Sequence, residues 1–322
     1  MKVKISKISY HLPANVESVD VLKDNNPEWD MAKILDKTGI LNRYISSPGE
    51  TAVDLAFQAA EKLFKGGDER NGIDLLILVT QSPDYTLPTS ACILQDRLGF
   101  SKNCMAFDVN LGCSGFVYAL SIAGSLIEAG VANKGVILCA DTYTKYIDKH
   151  DRTCRPIFSD GASATLIERT EKAYMGPFEL GSDGAGYDRL IVKHSGARES
   201  GCEARKLTMY GSDVFLFTMR VVPVCIKNLL RDAELTLEKI DLFVFHQASK
   251  LVIENLIRSM SLDKNKVFTN FENIGNTVSS TIPIALKDAD TQGRLKDGDT
   301  VMLIGFGVGL SWGATLLQWS EL

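Results

Sequence analysis

The 322-residue chain has no apolar run long enough to cross a bilayer, which excludes a helical membrane span. Nor does it carry an excess of basic charge: 35 Lys and Arg stand against 40 Asp and Glu, a formal charge of −5, with no long run of one sign. A sequence-independent surface for nucleic acid or for anionic lipid is therefore not expected. Histidine is scarce. The four, at 11, 150, 194 and 246, form no HExxH pair and no link to a CxxC, so no metal site is expected. The seven cysteines, at 92, 104, 113, 139, 154, 202 and 225, are odd in number and lack paired spacing. That pattern fits free thiols in a reducing cytoplasm better than a disulfide framework. The first ten residues alternate charged and apolar side chains, as an edge strand does, and lack the apolar centre of a signal peptide. A cytoplasmic location is expected, with length enough for two domain-sized units or one large duplicated body.

What is present is a cysteine in a telling setting. Cys113 lies in Asn-Leu-Gly-Cys-Ser-Gly, between a strand-like run at 105–109 and an apolar helical run at 116–130. At a helix start, the unpaired N–H groups and the positive dipole end favour a thiolate. Gly112, Ser114 and Gly115 leave the sulfur uncrowded and let a backbone amide face a developing oxyanion. A buried cysteine packed as a small hydrophobe fits the same motif equally well.

The chain also repeats itself. A buried-strand run at 73–82 ends in Gln-Ser, and another at 240–249 ends in Gln-Ala-Ser. Each is followed by a helical stretch (91–98; 251–260), a second strand (105–109; 266–270) and a polar, glycine-bearing turn that opens another helix. The turn carries Cys113 in the first half and Asn276 in the second. A third strand and its hairpin partner complete each half, at 135–140 with 162–167 and at 300–305 with 312–317. These echoes, in one order, predict two related α/β halves, 1–170 and 171–322, facing each other across a pseudo-twofold axis. Ligand sites in such sheets lie beyond the carboxyl ends of the strands, where Cys113, His246 and Asn276 all fall. Taken alone, His246 is as readily a structural histidine, and Asn276 as readily the cap of the helix running to 290. Together with Cys113 they form an acyl-transfer set of thiol, imidazole and amide.

The segments NLGCSGF, FHQAS, NIGNTVSSTIP and GFGVGLSWGAT resemble the signature segments of the ketoacyl-acyl-carrier-protein synthase III group of the thiolase superfamily. Lys37-Thr-Gly-Ile with Arg43, Leu87-Pro-Thr-Ser-Ala, Asp151-Arg152 and Phe158-Ser-Asp-Gly-Ala support the resemblance, which runs nearly end to end. Plant-type chalcone synthases share the Cys-His-Asn set but are longer. Thiolases use a second cysteine near the C-terminus, whereas the last one here is Cys225. The resemblance implies an α/β fold, a thiolase-like duplicated five-layered α-β-α-β-α sandwich, and a homodimer. It implies acyl carrier protein and acyl-coenzyme A as partners, and no cofactor. Cys113 would take an acyl group from a thioester, with the backbone N–H groups of Cys113 and Val308 as oxyanion hole. His246 and Asn276 would stabilise the enolate formed when a malonyl thioester loses carbon dioxide. Leu87, Phe158 and Phe306 are then expected at the acyl pocket, with Leu87 reaching across the dimer interface. Lys33, Lys37, Arg152 and Ser249 are expected along the path of coenzyme A or the carrier arm.

Several positions depart from the family pattern. Val308 stands where the family has glycine, which is expected to restrict the backbone there. Lys33 and Lys37 replace a tryptophan and an arginine that sandwich adenine, with Trp29 one helical turn away. Ser249, Leu251 and Leu216 replace an asparagine, an arginine and a docking lysine. Either the donor or carrier differs from the housekeeping one, in a specialised lipid or secondary-metabolite pathway, or neighbours such as Lys250, Arg220 and Lys227 compensate. Leu87, smaller than the family's phenylalanine, is expected to admit a longer or branched primer. Two other functions stay open: transfer of the Cys113 acyl group to an amine or hydroxyl, and a non-catalytic partner subunit. Other features read as structure. Gly307 and Gly309 fit packing rather than a nucleotide loop, Asp160-Gly161 a turn rather than a metal ligand, and Trp312 and Trp319 the flanks of the last strand. Cys154 and Cys202 are candidate exposed thiols.

Overall fold

The computed structural model describes residues 1–66, 70–198 and 205–320, so Cys202 lies outside the described residues. Strands β1 (Val3–His11), β4 (Leu75–Val79), β5 (Met105–Val109), β6 (Lys134–Asp141) and β7 (Gly161–Arg169) form one sheet, ordered β1-β7-β6-β4-β5. The β5–β4–β6 part is parallel, and β7 and β1 are added antiparallel. β1 stands at the sheet edge, as its alternation of charge predicts. Strands β8 (Met175–Ser182), β11 (Leu242–Phe245), β12 (Thr300–Gly307) and β13 (Ser311–Gln318) form a second sheet, ordered β11-β12-β13-β8. Read from its other end, β8, β13, β12 and β11 occupy the places of β1, β7, β6 and β4.

The counterpart of β5 expected at 266–270 is reduced to a single parallel bridge between Phe243 and Val267. A helical turn at Lys264–Lys266, capped by Asp263, and a short helix beginning at Phe271 leave too little extended chain between them for a ladder. Two ribbons lie outside the sheets: β2 (Asn15–Ser18) with β3 (Asn42–Ile45), and β9 (Leu190–Val192) with β10 (Leu207–Met209).

Period-two alternation in the strands creates the layers. In β4, Leu75, Ile77 and Val79 face the space between the sheets, while Leu76 and Leu78 face outward. In β11, Leu242 and Val244 face inward, while Phe243 and Phe245 face outward. The shared interior is filled by α5 (Gly115–Glu128) and α9 (Thr281–Thr291). Because sheets cover α5 on both sides it needs no polar face, and Phe116, Val117, Leu120, Ala123 and Ile127 are all fully buried. Helices α3 (Ala52–Leu63) and α4 (Ser90–Arg97) cover the first sheet's outer face, and α6 (Gly211–Asp232) and α7 (Lys250–Met260) cover that of the second. The order is the duplicated α-β-α-β-α sandwich expected from the sequence. Among the described residues no helix is long and apolar enough to cross a membrane.

Three further helices frame the site: α1 (Val19–Asn25), α2 (Met31–Thr38) and α8 (Phe271–Ile274). Asp30 caps α2 by accepting from the Lys33 N–H, and Gly39 ends it at φ +67. A Cβ on Gly39 would lie 2.7 Å from Lys250 Cβ, so glycine serves both the left-handed turn and the close seat of α2 against α7.

Candidate active site

Cys113 sits between β5 and α5. The next residue, Ser114, holds the helix N-cap position without a side-chain cap bond, and its hydroxyl pairs with that of Ser311 at 2.8 Å. The end of β12 passes directly against this turn. A Cβ on Gly305 would lie 2.7 Å from the Cys113 carbonyl oxygen, and one on Gly307 would lie 2.8 Å from the Cys113 sulfur. Gly307 thus packs, as expected, and what it and Gly305 pack on is the candidate nucleophile, while Gly309 packs against Ser311. Gly307→Ala is expected to slow Cys113 acylation by about 100-fold, since small displacements of reacting groups cost that much. Intact-protein mass against time checks it, and an unchanged rate would refute the crowding argument.

The same approach brings the Val308 N–H onto the Cys113 sulfur, alongside the N–H of Cys113 itself. These are the two amides expected at the oxyanion hole. Val308 does so without a left-handed backbone, contrary to the concern raised by its side chain. Among the described non-glycine residues, positive φ occurs at His194, Glu234, Ser261 and Val278. The strained valine is Val278, at φ +58.

Burial decides the state of the sulfur. Cys113 is 4% exposed, and desolvation pushes its thiol up to about 12, outweighing the Val308 N–H, with the charge of Asp141 adding to the rise. A helix end supplies about 1 kcal/mol, whereas a rise of this size corresponds to roughly 4 kcal/mol. Burial thus works against the thiolate that the helix start favours, and a thiol held this way needs a base to react.

His246 follows β11, and its N–H extends the ladder to the Ile304 carbonyl at 2.7 Å. Burial lowers its pKa to about 3, so the ring is neutral. Nδ1 lies 2.7 Å from Thr281 Oγ1 at the start of α9, and Nε2 lies 3.4 Å from Asn276 Nδ2. The Thr281 hydroxyl is also 3.1 Å from the Val278 carbonyl. When that hydroxyl donates to the carbonyl, Nδ1–H donates to Thr281 and Nε2 presents a lone pair. When it turns to donate to Nδ1, Nε2 carries the proton. Cys113 acylation is therefore expected not to fall between pH 8 and pH 5, because the imidazole stays neutral throughout. Rapid-quench acylation across that range checks this, and a tenfold loss centred near pH 6.5 would contradict it.

Asn276 is not a helix cap. α9 begins at Thr281 with Ser280 at its N-cap position. The Asn276 backbone instead zips onto 157–159, with its N–H donating to Ile157 O at 3.0 Å and its carbonyl accepting from Ser159 N–H at 2.9 Å. The buried guanidinium of Arg43, paired with Glu17, donates to the neighbouring Phe158 carbonyl at 2.7 Å. The Asn276 Oδ1 accepts the Val278 N–H at 2.9 Å, which turns Nδ2 toward His246.

A cavity of about 870 Å³ reaches all three side chains. Cys113, His246, Asn276, Phe158 and Phe306 line its buried end, and the Phe306 ring stands edge-on to His246 with centroids 5.6 Å apart. Lys33, Lys37, Arg152 and Ser249 line it as well, together with Trp29, Leu216 and Leu251 toward the surface. Lys33 is paired with Asp30 at 2.7 Å, and the Ser249 hydroxyl also caps α7. Leu87, expected to reach across a dimer interface, does not line its own chain's cavity and is 80% exposed, in the loop before α4. Cys154 is buried rather than exposed. Asp160 is a structural anchor that accepts from Ser46 and Thr144. Of the candidate compensating cations, Arg220 pairs with Asp183 and Lys250 with Asp36, both at the surface. Sequence reasoning missed Thr281, Ser279 and Asp141. The run of hydroxyls after Asn276 was the available signal.

The duplicated, layered architecture places the chain in the thiolase superfamily. The family model of 3-oxoacyl-[acyl-carrier-protein (ACP)] synthase III matches residues 107–184, and that of its C-terminal part matches residues 230–319. A β-ketoacyl-[acyl-carrier-protein] synthase III of Clostridium tetani is 37% identical, over 98% of this chain and 97% of its own. A crystal structure of a 3-oxoacyl-(acyl-carrier-protein) synthase III superposes with a TM-score of 0.96 at 43% identity, over 99% of this chain and 100% of its own. A 3-oxoacyl-(acyl-carrier protein) synthase of Burkholderia xenovorans LB400 gives 0.93 at 30% identity, over 100% and 95%. The chain belongs to the 3-oxoacyl-[acyl-carrier-protein] synthase III family.

Proposed function

We propose that the protein loads an acyl group from a thioester onto Cys113 and condenses it with malonyl-acyl carrier protein, releasing carbon dioxide and a β-ketoacyl thioester. The observation that carries this reading is the meeting of Cys113, His246 and Asn276 at the buried end of one cavity. The named relatives, β-ketoacyl-[acyl-carrier-protein] synthases III, support the choice of substrates.

In the first half-reaction, His246 Nε2 takes the thiol proton as sulfur attacks the thioester carbon. The N–H groups of Cys113 and Val308 face the carbonyl oxygen as it becomes negative. The departing thiolate leaves with the proton held on His246, and the imidazole returns to neutral. Between the two, the neutral imidazole gives up its Nδ1 proton and takes one at Nε2 by exchange with solvent as the Thr281 hydroxyl turns to donate to Nδ1; in the second, Nε2–H and Asn276 Nδ2–H then both donate to the malonyl thioester oxygen. The C–CO2 bond breaks and its electron pair becomes the enolate. The enolate carbon attacks the acyl-Cys113 carbonyl, the C–S bond breaks, and the freed sulfur takes a proton from solvent. These donors require neither metal nor organic cofactor.

Trp29 and Arg152 both line the cavity, and Trp29 would supply the aromatic face that Lys33 lacks. Trp29→Ala is expected to raise the KM for acyl-coenzyme A about tenfold and to leave the KM for malonyl-carrier protein unchanged; initial-rate kinetics with each substrate check it. The exposure of Leu87 leaves it available to a second copy of the chain, which supports reading the active form as a homodimer; the site of action is read as the cytoplasm.

Intact-protein mass spectrometry with acetyl, butyryl and octanoyl thioesters, followed by malonyl-carrier protein, tests the reading. An acyl mass on Cys113 that malonyl-carrier protein removes as ketoacyl product supports it, and the panel shows whether Leu87 admits the longer primers. An acyl mass removed only by an amine or hydroxyl acceptor, or no acyl mass at all, overturns it.

A further inference from the structure

Asp141 ends β6, is fully buried and lies outside the cavity. Its two oxygens serve different halves of the molecule. Oδ1 accepts from the Gln81 N–H at 2.8 Å and the Ser82 hydroxyl at 3.5 Å, both just beyond β4. Oδ2 accepts from the Ser279 hydroxyl at 2.5 Å and the Ser279 N–H at 3.4 Å, in the turn that leads into α9.

That turn is the strained one. Val278 is β-branched and held at φ +58, a conformation that persists only where its surroundings enforce it. Its N–H is held by Asn276 Oδ1, its carbonyl faces the Thr281 hydroxyl, and its successor Ser279 is held by Asp141. The Asn276 Oδ1 bond fixes which way Nδ2 points, and Thr281 fixes the His246 ring. The aim of both enolate donors therefore depends on a turn that is tied across to the first sheet's strand ends through Ser279, which reaches the Asp141 carboxylate at 2.5 Å and, more loosely, the Val79 carbonyl at 3.5 Å. Burial raises this carboxyl to about 7 despite its donors, so the group is held there at a cost in stability.

We propose that Asp141 is a positioning residue for the second half-reaction: through Ser279 it locks the turn at 276–281, so that Asn276 Nδ2 and His246 Nε2 address a single oxygen. The inference rests on the reading of His246 and Asn276 as the enolate-stabilising pair. It weighs most on the second half-reaction, because the aim of Asn276 Nδ2, which acylation does not use, passes through this turn, while acylation depends on it only through the His246–Thr281 bond.

The test measures both half-reactions in the full-length protein: Cys113 acylation by acetyl-coenzyme A, and carbon dioxide release from malonyl-carrier protein. Asp141→Asn and Ser279→Ala are each expected to slow carbon dioxide release at least tenfold, in kcat rather than KM, and to slow acylation by a clearly smaller factor, since only the second half-reaction needs both donors aimed at one oxygen. Equal slowing of both half-reactions, or no slowing of either, overturns the proposal. If Asp141→Asn fails to fold, Ser279→Ala, which removes the shortest arm and leaves the carboxyl in place, decides alone. A wild-type protein that acylates but never decarboxylates malonyl-carrier protein overturns the reaction assignment itself, and does so before any substitution is made.

Discussion

Cys113→Ala is expected to abolish the acyl-enzyme and to reduce ketoacyl product to background, while malonyl-carrier protein still loses carbon dioxide. The two halves of the chemistry belong to different atoms. In the proposed reaction the sulfur carries the acyl group, whereas the enolate oxygen is held by Nε2 of His246 and Nδ2 of Asn276, which the substitution leaves in place. No other described thiol stands in for it. Cys104, Cys139, Cys154 and Cys225 are buried, with their thiols pushed up by desolvation, and Cys92, though exposed, does not line the cavity. The expected loss of condensation exceeds 1,000-fold, the scale on which removal of a covalent nucleophile falls. Intact mass and carbon dioxide release, measured on the same sample, check both statements. An acyl mass equal to that of wild type would show that the group is carried elsewhere.

His246→Ala and Asn276→Ala are expected to slow malonyl decarboxylation by about 10²–10³, the effect of removing one preorganised donor from a developing oxyanion. The two variants part company in the first half-reaction. His246→Ala also slows acylation, because a thiol held up near 12 has then lost its proton acceptor. Asn276→Ala leaves acylation close to wild type. The double variant is expected to lose much less than the product of the single losses, since the two nitrogens stand 3.4 Å apart and act on one oxygen. Multiplicative losses would mean that they serve separate sites.

The layers were legible because they follow from alternation within single strands. The apolar runs of β4 and β11 read as strands buried on both faces, and the order of their echoes foretold two sheets sandwiching α5 and α9. The triad was legible as motifs, each at the end of a predicted strand or the start of a helix. What the sequence concealed depends on contacts between distant residues. The missing partner of β5 turns on a cap and a helical turn at 263–266, which local polarity only hinted at. The burial of Cys113 under the end of β12, which opposes the helix-end effect on its thiol, is likewise a contact between distant segments. The bond from Ser279 to Asp141 joins residues 138 positions apart, and no spacing pattern announces it. Leu87 is exposed and does not line the pocket its own chain builds, so its expected place in a partner's pocket is not read from one chain.

The central claim is that one site both carries the acyl group and generates the carbon nucleophile. Its most direct test supplies the purified protein with acetyl-coenzyme A and malonyl-carrier protein, and counts carbon dioxide and acetoacetyl-carrier protein in the same reaction. The account predicts equal amounts of the two over many turnovers, both dependent on Cys113. Carbon dioxide without ketoacyl product, or acetyl transfer to an acceptor without carbon dioxide, would contradict it.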